Sequence, residues 1–237
     1  SSSNTKSVAF NTKQTLTLIP HFNNEDHSLM AMGRFELTSG SSNGQSSDAS
    51  GLPAGGITSP DAGGLITGVS SSFSQWRSMF YTFSMHYAYK SRYMFDFSVR
   101  ADGTTKFGPD RRWGYFPAVS LRWNIVDEPW MEKTRSWLSM LSIRPSWGKV
   151  GNQPNDEYLY QSKYVSTSKY YDMPAMRPST IKLSDLRWET TSSYNVGMDL
   201  GLFNDKLSLV FDWYSQTTND MLMPNVRIPS NSGYATI

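Results

Sequence analysis

The chain has 237 residues, with 22 Lys plus Arg against 20 Asp plus Glu and a formal net charge of +2. That balance, with no Lys/Arg run, makes no case for a nucleic-acid partner. Cysteine is absent, which excludes disulfides, thiolate zinc clusters and a thiol nucleophile.

The first residues, SSSNTKSVAF, lack the basic and apolar regions of a signal peptide, and no run of about 18 apolar residues offers a transmembrane helix. Mean hydropathy is −0.48, which a soluble protein and a β-barrel wall share, because every second wall residue faces water. The 12 Phe, 8 Trp and 13 Tyr suit strands, interfacial girdles or sugar-stacking platforms alike.

Alternation of apolar and polar residues predicts about eight strands. Thr12–Phe22 and His27–Thr38 flank the turn residues 23–26. Residues 39–72, rich in Ser, Gly, Asp and Pro, read as a long loop. Trp76–Tyr89 aligns Met79, Tyr81, Phe83, Met85, Tyr87 and Tyr89 on one face. After a turn at 90–92, Tyr93, Phe95, Phe97 and Val99 oppose Asp96, Ser98, Arg100 and Asp102. A loop over 103–113 precedes a strand with Tyr115, Val119, Leu121 and Trp123 aligned. A connection over 126–136 precedes Trp137–Val150.

Residues 151–185 read as a second long loop. The stretch 187–202 then divides cleanly. Trp188, Tyr194, Val196, Met198, Leu200 and Leu202 fall on one face, and Arg187, Glu189, Asn195, Gly197 and Asp199 on the other. It is long for a soluble strand and suits a tilted span of roughly 9–11 residues. Asn204-Asp205 reads as a two-residue hairpin turn before Leu207, Leu209, Phe211 and Trp213.

The connections run short, long, short, medium, medium, long, short, with 23–26, 90–92, 126–136 and 204–205 on one side and 39–72, 103–113 and 151–185 on the other; 103–113 and 126–136 are about equal in length. Outer-membrane barrels have short periplasmic turns and longer external loops, whereas a sandwich has no reason to sort its loops. The predicted fold class is therefore all-β, an antiparallel transmembrane barrel segment. A soluble β-rich carbohydrate-binding module with Trp and Tyr platforms is the alternative.

No catalytic, cofactor or metal constellation is predicted. His21, His27 and His86 show no ligand spacing, and the carboxylates lack any paired-acid signature. Asp102-Gly103-Thr104-Thr105-Lys106-Phe107-Gly108 lacks the spacing of a calcium or phosphate loop and reads as turn chemistry. Asp96, Arg100, Asp102, Arg187, Glu189 and Asp199 are expected to face a hydrated lumen. Tyr158, Tyr160, Tyr164, Tyr170 and Tyr171 either contact cargo or a partner, or pack the loop that carries them.

Four blocks resemble one family. Ser98-Val99-Arg100-Ala101-Asp102-Gly103-Thr104-Thr105-Lys106-Phe107-Gly108, then Arg112-Trp113-Gly114-Tyr115-Phe116-Pro117-Ala118-Val119-Ser120, is similar to a hairpin of SusC/RagA-type TonB-dependent outer-membrane transporters. Ile143-Arg144-Pro145-Ser146-Trp147-Gly148-Lys149-Val150-Gly151-Asn152-Gln153 resembles that family's "LR-x-S-Y/W-G-x-x-GNQ", departing at Pro145 and Lys149. Leu186-Arg187-Trp188-Glu189-Thr190-Thr191 with Tyr194-Asn195-Val196-Gly197-Met198-Asp199, and then Asp220-Met221-Leu222, complete the set. The blocks cover residues 92–237; residues 1–91 match only in style.

The resemblance implies a barrel of about 22 strands with a plug domain and a TonB-box. Neither plug nor TonB-box is recognisable here, so residues 1–237 are expected to be an internal part of the barrel domain. It further implies the outer membrane of a Gram-negative bacterium, contact with outer-membrane lipid, and a SusD-like surface lipoprotein. TonB would act through a plug missing from this sequence, and the cargo would be an oligosaccharide or peptide.

Overall fold

The computed structural model describes residues 1–51, 59–62, 65–171, 173–223, 226, 227, 229, 232 and 234. Ten strands form: β1 (Ser2–Leu18), β2 (His27–Ser50), β3 (Leu65–Tyr89), β4 (Tyr93–Thr104), β5 (Trp113–Asn124), β6 (Leu138–Asn152), β7 (Lys163–Tyr170), β8 (Met173–Thr180), β9 (Glu189–Leu202) and β10 (Leu207–Asn219). Eight build one antiparallel sheet in the order β1-β2-β3-β4-β5-β6-β9-β10, and β7-β8 form a separate hairpin inserted between β6 and β9.

The register keeps one phase across the sheet apart from one-residue shifts near strand ends, at Asp48/Ala49 and Leu138/Met140. Leu16 faces Gly33 and Phe35 faces Tyr81. Phe83 faces Val99, which faces Pro117. Val119 faces Trp147, which faces Tyr194, and Val196 faces Trp213. All lie on one face, because directly opposed residues in an antiparallel pair point the same way. The other face repeats Arg34–Thr82–Arg100, His86–Asp96–Ser120 and Ser146–Asn195–Tyr214. A slip of one residue at any pair would send apolar groups to the polar side.

Aromatic rings collect at two levels of the apolar face. Near the short turns, Tyr89, Tyr93 and Trp123 stack with centroids 6.3 Å apart, and His27 lies 5.0 Å from Tyr89. Nearer the long connections, Phe35, Tyr81 and Trp113 follow at 5.1 and 6.0 Å. Tyr81 and Tyr89 share β3, so the levels lie roughly 20 Å apart in height for a strand tilted about 40°. Between them Phe83 at 43% and Val196 at 42% are exposed, while Met85, Phe97, Val99 and Val119 are half-buried.

The long connections differ from expectation. Residues 39–50 and 65–72 are strand rather than loop, since β2 runs to Ser50 and β3 begins at Leu65. Ladder hydrogen bonds and hydroxyl pairs such as Ser7–Ser42 (3.1 Å) and Ser46–Ser70 (2.7 Å) hold this extension. Ser and Gly dominate it, and Leu65, Ile66 and Val69 are too few to make an alternation that can be read. The rest of that expected loop, 52–58 and 63–64, lies outside the described residues. The expected loop 151–185 contains β7-β8, and β4 continues to Thr104 inside the expected loop 103–113. β1 begins at Ser2 rather than Thr12 and ends at Leu18.

At the other end, residues 203–206 link β9 to β10, so the turn is longer than the predicted pair. Phe203, Asn204 and Asp205 take φ of 56, 57 and 59°. Asn and Asp tolerate this left-handed region. Phe203 is held there by its N–H bonding the Trp137 carbonyl at 2.7 Å, and the Asp205 N–H bonds Ser139 Oγ at 3.0 Å. Residues 126–136 supply short 3₁₀ turns, Ile125–Asp127 and Pro129–Thr134. There Glu128 accepts hydrogen bonds from the Tyr93 hydroxyl and from Trp123 Nε1 (3.0 Å), with Arg92 at 3.9 Å. The hydrogen bond from Tyr93, then that from Trp123, and the nearby Arg92 charge hold the Glu128 carboxyl below its ordinary value.

Pro145 lies inside β6, a central strand. The β5–β6 ladder pairs Ser120 with Ser146 and Trp123 with Ile143, but the two rungs between are missing. Both would require an N–H at position 145 donating to the Leu121 carbonyl, and proline has none. The β6–β9 ladder continues unbroken through Pro145↔Val196.

Two outcomes follow. Pro145→Val should restore that bond and raise the urea midpoint of the barrel protein, by about 1 kcal/mol in unfolding free energy; an unchanged or lower midpoint would count against the missing rung as a weakness. The Glu128 contribution should be complete above the unfolded glutamate pKa of about 4.3 and fade as pH falls toward the depressed folded value. Glu128→Gln should flatten that acid limb, read by unfolding midpoint against pH.

Candidate functional site

The polar face is concave. Met30 and Met32 of β2, His86 of β3, Asp96 of β4, Ser120 of β5 and Asn195 of β9 all line one trough of 410 Å³. A single hollow spanning β2 to β9 on this side agrees with a sheet curled around its polar face, as the wall of a barrel is.

Charges on this face are paired along and across strands. His86 Nδ1 lies 2.6 Å from Asp96 Oδ1, whose other oxygen accepts from Ser120 Oγ at 3.2 Å. Arg100 Nε donates to Asp102 at 2.5 Å, and its guanidinium lies 4.8 Å from the Phe80 ring centroid. Toward the short turns, Asp199 accepts from Ser142 Oγ (2.9 Å) and Arg144 Nη2 (2.8 Å), with Arg122 at 3.7 Å. Arg144 also lies 3.7 Å from Asp212 of β10. A Cβ at Gly197 would sit 2.6 Å from the Asp212 carboxylate and 3.0 Å from Arg144, so the bare position makes room for this pair.

Of the predicted lumen residues, Asp96, Arg100, Asp102 and Asp199 therefore share the concave face. Glu189 shares its phase but sits at the rim, where it accepts from the Leu222 N–H at 2.8 Å and ties down the chain beyond β10. Arg187 precedes β9 and does not belong to the strand face predicted for it. It hydrogen-bonds Asp185 and lies 4.0 Å from Asp220. The Arg187 hydrogen bond, then its charge, lowers the Asp185 carboxyl below the ordinary value.

Trp188 is the clearest correction. Its alternation placed it on the apolar strand face, yet it lies before β9, 7% exposed, in a cluster with Phe107 and Phe116. Ring centroids are 4.9 Å to Phe107 and 5.4 Å to Phe116, and its Nε1 donates to the Arg112 carbonyl at 3.2 Å. Phe107 is fully buried. Cβ atoms at Gly114 and Gly151 would fall 2.5 and 2.0 Å from the Phe116 ring, so the ring occupies space that only glycines leave. The cluster joins the 105–112 connection to the 153–188 connection. Lys106 Nζ adds bonds to the carbonyls of Pro154 (3.0 Å) and Asn155 (2.8 Å). Sequence reading passed over Phe107 as part of a plain turn and over Phe116 as a polar-phase residue. Glycines spaced around aromatic residues were the available signal.

The predicted tyrosines divide. Tyr158 Oη donates to the Gln75 carbonyl (3.0 Å) and accepts its N–H (2.9 Å), buttressing the β3 extension. Tyr160 packs 3.7 Å from where a Gly108 Cβ would stand and accepts from Gln161 Nε2. These two pack the loop. Tyr164 and Tyr171 are 61% and 83% exposed on the β7-β8 hairpin. The Tyr170 side chain lies outside the described residues. Among the described residues, no three His, Asp or Glu side chains converge as metal ligands would.

A curled antiparallel meander, apolar and aromatic-girdled on one face and polar on the other, is a segment of β-barrel wall. The family model for the TonB-dependent receptor-like β-barrel matches residues 1–237, and the chain belongs to that family. It is 34% identical over 158 residues to TonB-dependent receptor SusC of Bacteroides thetaiotaomicron, covering 63% of this chain and 16% of that protein. To TonB-dependent receptor P39 of Formosa agariphila it is 36% identical over 151 residues, covering 64% and 14%. It superposes on the RagAB peptide transporter with a TM-score of 0.84 at 25% identity, covering 99% of this chain and 26% of that one. The chain thus spans about a quarter of that solved chain and a smaller share of the curated relatives.

Trp188→Ala should cost about 3–5 kcal/mol of local stability. The expected readout is faster proteolysis within residues 153–188 with sheet content unchanged by circular dichroism; unaltered cleavage would mean that the cluster does not hold this connection.

Proposed function

We propose that this chain is wall from the barrel domain of a TonB-dependent importer in the outer membrane of a Gram-negative bacterium. The single phase of apolar and polar residues kept across eight strands supports this reading most strongly. In it, the girdled apolar face meets lipid, and Asp96, Arg100, Asp102 and Asp199 line a hydrated lumen, with Glu189 and Arg187 at its external rim. Their mutual pairing keeps charge inside the wall without fixing a cation or anion in the path.

The connections 51–64, 105–112 and 153–188 lie outside the cell in this reading. The exposed Tyr164 and Tyr171 offer amphipathic rings to cargo or to a SusD-like lipoprotein lid. The cargo is an oligosaccharide or a peptide; similarity to a peptide transporter favours the second and the family resemblance allows both. TonB acts through a plug domain carried elsewhere in the full protein. A soluble carbohydrate-binding module would not leave Phe83, Val196, Leu209 and Phe211 on one exposed surface.

Charge placed on each face tests the assignment. In the full-length protein Val196→Arg should impair membrane assembly by roughly 2–4 kcal/mol for a site near the midplane, whereas Asn195→Arg should be mild. Assembly is read as the heat-modifiable folded fraction in outer-membrane extracts. Equal effects, or a wild-type protein monodisperse without detergent, would overturn the reading.

A further inference from the structure

Arg77 and Arg112 line one cavity of 250 Å³ together with Met79, Gly103, Thr105 and Trp113, and no acidic side chain joins them. Met79, Gly103 and Trp113 are directly opposed across β3, β4 and β5, so the floor of the cavity belongs to the apolar face. Trp113 lies over Gly103, where a Cβ would come within 2.9 Å of its ring, and stacks on Tyr81. The floor is therefore part of the aromatic level nearest the long connections, and the two arginines stand just beyond it.

Both arginines are anchored through their backbones. The Arg77 N–H donates to Thr105 Oγ1, and its carbonyl accepts the Thr105 N–H, each at 2.9 Å. The Arg112 carbonyl accepts from the Thr104 N–H and Trp188 Nε1, each at 3.2 Å. Their guanidinium groups, by contrast, have no acidic partner among the described residues, and Arg112 Nε is shielded from water with no hydrogen bond. Two guanidinium groups without an acidic partner, beside an apolar floor, suit a dianionic head attached to a hydrocarbon body.

We propose that this cavity binds the phosphomonoester head of an outer-leaflet lipid, with the phosphate between Arg77 and Arg112 and the first acyl carbons against Met79 and Trp113. The inference rests on the apolar face meeting lipid. Tryptophan belongs at such an interface, and cations placed beyond it meet headgroups.

The test is native mass spectrometry of the full-length protein in detergent, titrated with phosphatidic acid or phosphatidylcholine. Wild type should retain phosphatidic acid in preference, and the double variant Arg77→Gln/Arg112→Gln should lose that retention by about tenfold or more. Arg77→Lys/Arg112→Lys should keep a substantial part of it, since the charge remains. Arg111→Gln, a neighbouring charge loss paired with Asp185 at 3.3 Å, should change nothing. Equal retention of both lipids, undiminished binding in the folded double Gln variant, or displacement by inorganic phosphate would overturn the proposal, the last by making this a soluble-anion site. If the wall reading itself failed, the wild type would need no detergent; a detergent-requiring wild type without lipid preference fails this inference alone.

Discussion

The structure depends on keeping one phase through every strand pair. Side chains alternate with a period of two, so a single sheet can divide its groups into two solvents only if no neighbour slips by one residue. Here Phe35–Tyr81, Phe83–Val99, Val119–Trp147 and Val196–Trp213 keep the apolar set together across the sheet. The ladder does the same for the backbone. In lipid an unmatched N–H or carbonyl has no water to turn to, so pairing is a condition of existence there. Against that background the missing rungs at Pro145 stand out, because they leave one carbonyl on one ladder unmatched while the other ladder carries on.

The two rims are built by different means. At the short-turn rim, polar groups from the connections bond back onto strand ends, as Glu128 does to Tyr93 and Trp123 and as the Phe203 N–H does to Trp137. At the other rim an apolar cluster does the joining. Phe107, Phe116 and Trp188 make a small dry core where the polar face ends, and Lys106 caps it with two carbonyl bonds. The long connection thereby becomes a platform from which β7-β8 projects, carrying exposed rings on a fixed base.

Sequence reading succeeded where two solvents impose alternation. The apolar sets of β3, β4, β9 and β10 were legible residue by residue, and with them the shared polar face of Asp96, Arg100, Asp102 and Asp199. It failed where that contrast disappears. Residues 39–50 and 65–72 are strand, but Ser and Gly dominate them and apolar residues such as Leu65, Ile66 and Val69 are too sparse to alternate, so they looked like loop. Trp188 failed for the opposite reason. Its phase matched Tyr194 and Val196, yet it stands one residue before β9, where tertiary packing against Phe107 and Phe116 outweighs the pattern. The β7-β8 hairpin carries Pro174 and Pro178 and no consistent alternation, so nothing local announced it.

The two edges of the sheet make the last argument. β10 is exposed along its whole length, and β1 is so at every residue but Thr12. Soluble proteins blunt such edges with prolines, bulges or inward charges, because a free ladder recruits other chains. β10 carries no proline or bulge, and its single inward charge, Asp212, is taken up by Arg144 within the same sheet; it pairs with β9 in unbroken register from Leu207 to Asn219 and presents Leu209, Phe211 and Trp213 on the apolar face. An unprotected edge that keeps the phase of the wall is shaped to be paired by a further strand of the same kind. That need for pairing agrees with the chain's covering 26% of the solved transporter it matches.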